Sequence, residues 1–153
     1  MDDRSLKIIA TLDPKAQRSF KKFLTDAKKV AADYGCDYVA ISGNRTYKEQ
    51  DALYAKGRTK PGKIVTNARG GQSNHNFGIA ADFGVFCNGQ YIDETNPKLA
   101  SKIHKDVAKD SLDYGIEWGG NWKSFKDEPH FEISTGLSLA EKRKRYEKLG
   151  SVL

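Results

Sequence analysis

The sequence predicts one α+β domain over residues 1–153, with a small, mainly antiparallel sheet flanked by helices. Three observations predict it. Helical and strand-like segments are mixed along the chain. The strand-like runs are short, and two of them flank Asn88-Gly89, a strong hairpin signal. No internal repeat, low-complexity tract or linker divides the chain.

The elements follow in order. Over residues 14–34, Ala16, Phe20, Phe23, Leu24, Ala27, Val30 and Ala31 recur at three- and four-residue steps, the helical period. Asp13 is the expected N-cap, Pro14 fits the first helical position, and Gly35 stops the helix. Residues 38–42 form a short β-like run ending at Gly43. A second helix spans 47–56, with Thr46 as cap and Gly57 as stop. Residues 57–73 are rich in Gly, Lys, Arg, Thr and Asn and read as a long loop, of the kind that is often functional. Residues 79–86 read as a strand, and 90–92 as its hairpin partner. A helix over 97–112 is opened by Asn96, and strands follow at 115–118 and 129–133. Ser138, with Glu141 three residues on, caps a terminal helix over 138–149.

Composition narrows the function class. Hydrophobic content of 38% and charged content of 30% suit a globular domain with a real core. The formal net charge of +6 favours a polyanion, whether nucleic acid, anionic membrane or anionic cell wall. No zinc-finger, ribonucleoprotein or basic-zipper pattern is present, so no specific nucleic-acid partner is expected. No long apolar run indicates a membrane span. The start, Met1-Asp2-Asp3-Arg4-Ser5, is acidic and then amphipathic, without the basic and apolar regions of a signal peptide. Synthesis in a cytoplasm is expected, with another export route for any external target. Cys36 and Cys87 match no metal or redox spacing, and two buried free thiols are expected in preference to a disulfide. Lys142-Arg143-Lys144-Arg145 reads as a solvated face; with Leu139, Tyr146 and Leu149 opposite, docking on an anionic envelope surface is the alternative.

The chemistry concentrates in two segments. His75 and Asp82 stand in Ser73-Asn74-His75-Asn76-Phe77-Gly78-Ile79-Ala80-Ala81-Asp82, and His130 in Asp127-Glu128-Pro129-His130-Phe131-Glu132. Two imidazoles and a carboxylate make a three-ligand zinc site with a fourth position open for water. On a strand, Ala80 and Asp82 share one face, and Gly78 lets the preceding loop bend His75 back towards it. Pro129 starts an extended run in which His130 and Glu132 share a face. Asp127, near the strand mouth, is placed to act as general base without being a ligand. Taken singly, each histidine is more often structural; it is their combination that points to a metal. His104 lies on the 97–112 helix with no partner at metal spacing and reads as a surface or packing residue. Arg45 is either a clamp for an oxyanion or substrate carboxylate, or a structural ion-pair partner. Trp118-Gly119-Gly120-Asn121-Trp122 is either a cleft wall or, for Trp118, part of the core.

The pattern Ser73-x-His75-x-x-Gly78-x-Ala80-x-Asp82, then Glu117-Trp118-Gly119-Gly120-x-Trp122 and Asp127-x-Pro129-His130-Phe131, resembles the LAS-type zinc peptidases of the M15 class. Residues 52–62 and 70–76 look most like bacteriophage endolysins that are L-alanyl-D-glutamate endopeptidases. The resemblance covers roughly residues 36–133. It implies one zinc ion held by His75, Asp82 and His130, with Asp127 as general base and then acid. It implies Arg45 as oxyanion or substrate clamp, and Ser73 near the metal ligands or the substrate; Trp118, on the cleft-wall reading, is the other candidate substrate-binding residue. The implied fold is the small α+β domain shared with D-Ala-D-Ala peptidases and hedgehog proteins.

The expected function is hydrolysis of the L-Ala–D-Glu bond of peptidoglycan stem peptides by a monomer, causing host cell lysis. Release through a holin-type membrane hole fits, and a bacterial wall-remodelling enzyme is the other setting. Many phage relatives carry a further wall-binding domain, for which this chain leaves no room. D-Ala-D-Ala carboxypeptidase or dipeptidase activity, or a zinc-containing wall-binding module without catalysis, are the alternatives.

Overall fold

Alternation along two strands decides the architecture of the structure, a computed structural model describing residues 1–153. In β2 (Ala80–Cys87), Ala81, Phe83 and Val85 are buried in the main core. In β5 (His130–Ile133), Phe131 joins them. The intervening residues Asp82, His130 and Glu132 therefore point to the other face. β2 and β5 pair antiparallel with Asp82 opposite His130 and Ala80 opposite Glu132. β1 (Cys36–Ser42) flanks β2 on its other side, β4 (Ile116–Trp118) flanks β5, and the short β3 (Gln90–Tyr91) pairs with the end of β2. All four pairings are antiparallel.

Helices α1 (Asp3–Ile9), α2 (Pro14–Ala32) and α4 (Pro97–Ala108) cover the apolar face of the sheet. Phe20, Phe23, Leu24, Ala27 and Ala31 of α2 are the predicted stripe, and they meet Tyr38, Phe83 and Phe131 of the sheet. The Phe23 ring packs against those of Phe83 and Phe131 at centroid distances of 5.4 and 4.7 Å. Helices α3 (Tyr47–Ala55) and α5 (Leu139–Leu149) lie by the polar face. Tyr146 of α5 packs on Tyr47 and Phe77, beside a small second core of Phe77, Ile79 and Val152.

The expected caps are present: Asp13, Thr46, Asn96 and Ser138 each accept a backbone hydrogen bond at the start of their helix. Asn88 and Gly89 both adopt positive φ, as the two-residue hairpin requires. Three readings change. α1 is an additional helix of seven residues, too short to show a period. The helix from Pro97 ends at Ala108, and a separate 3-10 turn covers Ser111–Tyr114. Cys36 and Cys87 form a disulfide rather than two free thiols. They are 51 residues apart in sequence but directly opposite in the β1–β2 register. His104 is a packing residue, buried with Tyr38 Oη at 2.5 Å and Asp93 Oδ2 at 2.7 Å.

The bridge closes a long loop, so its loss frees the unfolded chain more than the folded one. Replacing both cysteines by serine is expected to lower the unfolding free energy by about 2–4 kcal/mol. Denaturant midpoints measured with and without reductant check this; coincident midpoints would count against the bridge.

Candidate active site

The polar face of the sheet meets the 3-10 turn Asn74–Asn76 at a cleft of about 930 Å³. Asp82 and His130 come from facing strands, and the turn brings His75. Ser73 caps the turn by accepting from the His75 amide at 3.2 Å. Gly78 has φ +69° and its backbone is too close to Asp13 to admit a side chain, which is how the chain reverses between His75 and β2. The predicted role of Gly78 is thus realised.

His75 Nε2, Asp82 Oδ1 and His130 Nδ1 form a triangle with all three edges at 3.2 Å. A tetrahedral zinc site with bonds of ~2.0–2.1 Å needs ligand atoms ~3.3 Å apart. The donor set therefore fits such an ion in both chemistry and spacing. To hold an ion each histidine must be neutral with its lone pair inward, and the bond made by its other ring nitrogen favours that tautomer once the inward proton is displaced. His75 Nδ1 donates to the Gly43 carbonyl at 2.9 Å, which leaves the Nε2 lone pair facing the triangle. His130 Nε2 donates to Glu132 Oε1 at 2.8 Å, which does the same for Nδ1.

Behind Glu132 the chain of bonds continues. Asn74 Nδ2 donates to Glu132 Oε2 at 2.6 Å, and Lys142 Nζ of α5 donates to Asn74 Oδ1 at 2.8 Å. Lys142 is only 6% exposed. Arg143 donates to the Gly71 carbonyl at 3.1 Å. Arg145, though exposed, donates to the Val152 carbonyl at 3.4 Å, so three of the four basic residues bond to the chain itself and the run is not one solvated face. Leu139 and Leu149, expected opposite it, are exposed.

Arg45 and Asp127 also line the cleft, with Ser73. The Arg45 guanidinium stands 3.6 Å from Asp82 Oδ2 and donates to Ser42 Oγ and Gln50 Oε1. Gln50, fully buried on α3, also donates to the Ala68 carbonyl, so it ties Arg45 to the long loop. Trp118 is not at the cleft. It is buried, its Nε1 donates to the Glu128 carbonyl at 2.6 Å, and its ring stacks on Phe131. Trp122 holds the cleft position instead, with its ring centroid 5.0 Å from that of His130. Strand alternation already put Glu132 beside His130, and the cleft-wall reading of residues 118–122 fits Trp122; nothing local in the sequence marks Asn74 or Lys142.

Two of the cleft carboxyls, Asp82 and Asp127, are driven apart. Burial opposes ionisation of Asp82, but hydrogen bonds from His130 and His75, and their charge, hold it well below the usual range. Burial pushes the Asp127 carboxyl up and Asp82 adds to this, with His130, His75 and Arg45 pulling less strongly the other way. Burial also disfavours a charged His130, yet Asp82 and Glu132 outweigh it and raise the imidazole to about 9.

Comparison with known proteins agrees with this geometry. Residues 66–133 match an M15 peptidase family model described as D-alanyl-D-alanine carboxypeptidase. The chain is 45% identical over 113 residues to the peptidoglycan L-alanyl-D-glutamate endopeptidase CwlK of Bacillus subtilis, a match covering 69% of this chain and 66% of that protein. Its fold is similar to that of the Serratia marcescens L-Ala D-Glu endopeptidase ChiX, with TM-score 0.57 and 20% identity, covering 89% of this chain and 90% of that one. It is also similar to a vancomycin-resistance D,D-pentapeptidase, VanY, in complex with Zn(II), with TM-score 0.51 and 16% identity, covering 92% and 80%. The chain belongs to the M15 peptidase family.

Three outcomes are expected. Lys142→Met leaves all three donors in place but loosens Glu132, and should weaken Zn2+ binding ~10–100-fold in chelator competition, with Lys142→Arg restoring part of it. A cation that takes His130 Nδ1 must displace its proton below about pH 9. Zn2+ binding near pH 7 should therefore release protons, seen as a buffer-dependent enthalpy in calorimetry. In protein stripped by chelator, the raised His130 contributes stability that is full below its ordinary ~6.5. That contribution fades as the pH rises through about 9, which pH-dependent melting would show.

Proposed function

We propose that this chain is a zinc endopeptidase that hydrolyses the L-Ala–D-Glu bond of peptidoglycan stem peptides. The observation that carries the reading is the equilateral donor triangle opening on a cleft that also holds Asp127 and Arg45. The bond assignment rests on the 45% identity to an enzyme of that specificity.

His75, Asp82 and His130 are the residues that would hold the ion. Zinc supplies Lewis acidity, which makes water acidic near neutral pH and polarises a carbonyl. Asp127 accepts the proton of the attacking water and passes it to the leaving amine. Its upward shift suits that exchange, because a base that must also become an acid works best near the ambient pH. Asp82, held ionised, is suited to bind the ion and not to shuttle protons. Arg45 is held at the cleft by Ser42 and Gln50, where its remaining N–H groups serve a developing oxyanion or a substrate carboxylate. Ser73 keeps its hydroxyl hydrogen for the substrate while its oxygen caps the turn.

The site of action is the cell wall. A phage lysis protein reaching the wall through a membrane hole is one setting, and wall remodelling in a bacterium the other. The Cys36–Cys87 bridge supports work outside a reducing cytoplasm in either case.

Digestion of purified peptidoglycan should create new D-Glu amino termini, detected by mass spectrometry and abolished by chelator. Release of D-Ala instead would transfer the activity to the carboxypeptidase class named by the family model. Asp127→Ala should bind Zn2+ as tightly as the parent but turn over ~10²–10⁴-fold more slowly.

A further inference from the structure

The cleft has a neighbouring chamber behind one of its walls. Trp122 lines the cleft, and it also lines a second hollow of about 560 Å³. That volume lies within the ~300–1,000 Å³ range of small-molecule sites. The hollow lies between the end of α4 and the turn from Trp118 to Trp122. Trp118, Trp122 and Leu112 give it apolar surface, and Lys105, Glu117 and Asn121 supply hydrogen-bonding groups. Its base is rigid: Trp118 is pinned by Glu128, and Gly120 lies so close that a Cβ there would meet the indole at 2.2 Å. Flat aromatic surface edged by donors and acceptors is the chemistry that holds a sugar, whose ring has an apolar face and a polar rim.

Charge sets the direction of the substrate. Arg45 stands by Asp82, and Arg143 by Gly71, so the cleft cations lie with the long loop and α5. The carboxylates of a stem peptide begin at D-Glu, beyond the bond to be cut. The residues around His130 present Trp122 and Phe125, the latter 86% exposed. The portion of substrate left for them is L-Ala, whose amine is acylated by the lactyl arm of an amino sugar. One amino acid therefore separates the cut bond from the glycan, and the glycan must lie beside the site.

We propose that the hollow lined by Trp118, Trp122, Leu112 and Lys105 is a subsite for the N-acetylated amino sugars of the glycan strand. This rests on the endopeptidase reading above, and it makes the enzyme a reader of sugar-linked peptide rather than of peptide alone.

The test compares two soluble substrates with the zinc-loaded protein: a stem peptide, and the same peptide attached to its disaccharide. The wild type should cut the disaccharide–peptide with kcat/KM at least ~10-fold higher, about 1.4 kcal/mol. A Lys105→Glu, Leu112→Asp double variant changes two exposed side chains and should bring that ratio close to one; Trp122→Ala should do the same. A ratio near one in the wild type, or one that survives in the double variant, overturns the subsite. Binding of peptide-free glycan strands to chelator-treated protein, read by tryptophan fluorescence, separates the two proposals. If neither substrate is cut at L-Ala–D-Glu, the endopeptidase reading falls. The subsite then stands if those strands bind and the double variant weakens the binding, and falls if they do not.

Discussion

The antiparallel pairing of Asp82 with His130 is the constraint on which the site depends. It places two of the three donors by backbone geometry alone, before any metal is considered. What holds the register is the reverse face of the same strands. Phe83 and Phe131 are fully buried among the aromatics of α2. A slip of one residue would turn Phe83 into the cleft and Asp82 into the core. Burying a large apolar side chain contributes ~1.5–3 kcal/mol, while an unpaired carboxylate in the core costs several. The hydrophobic core and the polar site are two sides of one choice.

His75 depends on a different kind of control. It sits on a three-residue turn that no strand pairing places, so side chains and carbonyls do the positioning. Ser73 holds its amide, Gly43 its ring, and Arg45 donates its own amide to the His75 carbonyl at 2.8 Å. Asn76 completes this by donating to the Arg45 carbonyl. The segment around residues 43–45 thus acts twice, through its backbone on a donor and through the Arg45 side chain on the cleft.

Much of this was legible in the sequence. Alternation over 79–83 and 130–133 separated Asp82, His130 and Glu132 from the core residues, and Gly78 marked the reversal. Caps marked the starts of four helices. What escaped depended on contacts across long separations. The cysteines meet only once β1 and β2 are in register, and compartment reasoning pointed the other way. Lys142 stands in a run of four cations, and only the docking of α5 through Tyr146 turns it inward. Trp118 and Trp122 are alike as letters. Strand β4 buries the first, and the following turn leaves the second at the cleft.

The bond chain from His130 through Glu132 and Asn74 ends on α5, beyond the stretch that the family model covers. A fragment cut just after β5 would keep every donor atom yet lose the anchor of one. For anyone grafting this domain, swapping its tail or appending a targeting module, the unit to preserve runs through Lys142 and Tyr146. The terminal helix is a remote support of the donor triangle, and its sequence is a handle for tuning the proposed metal site without touching a donor.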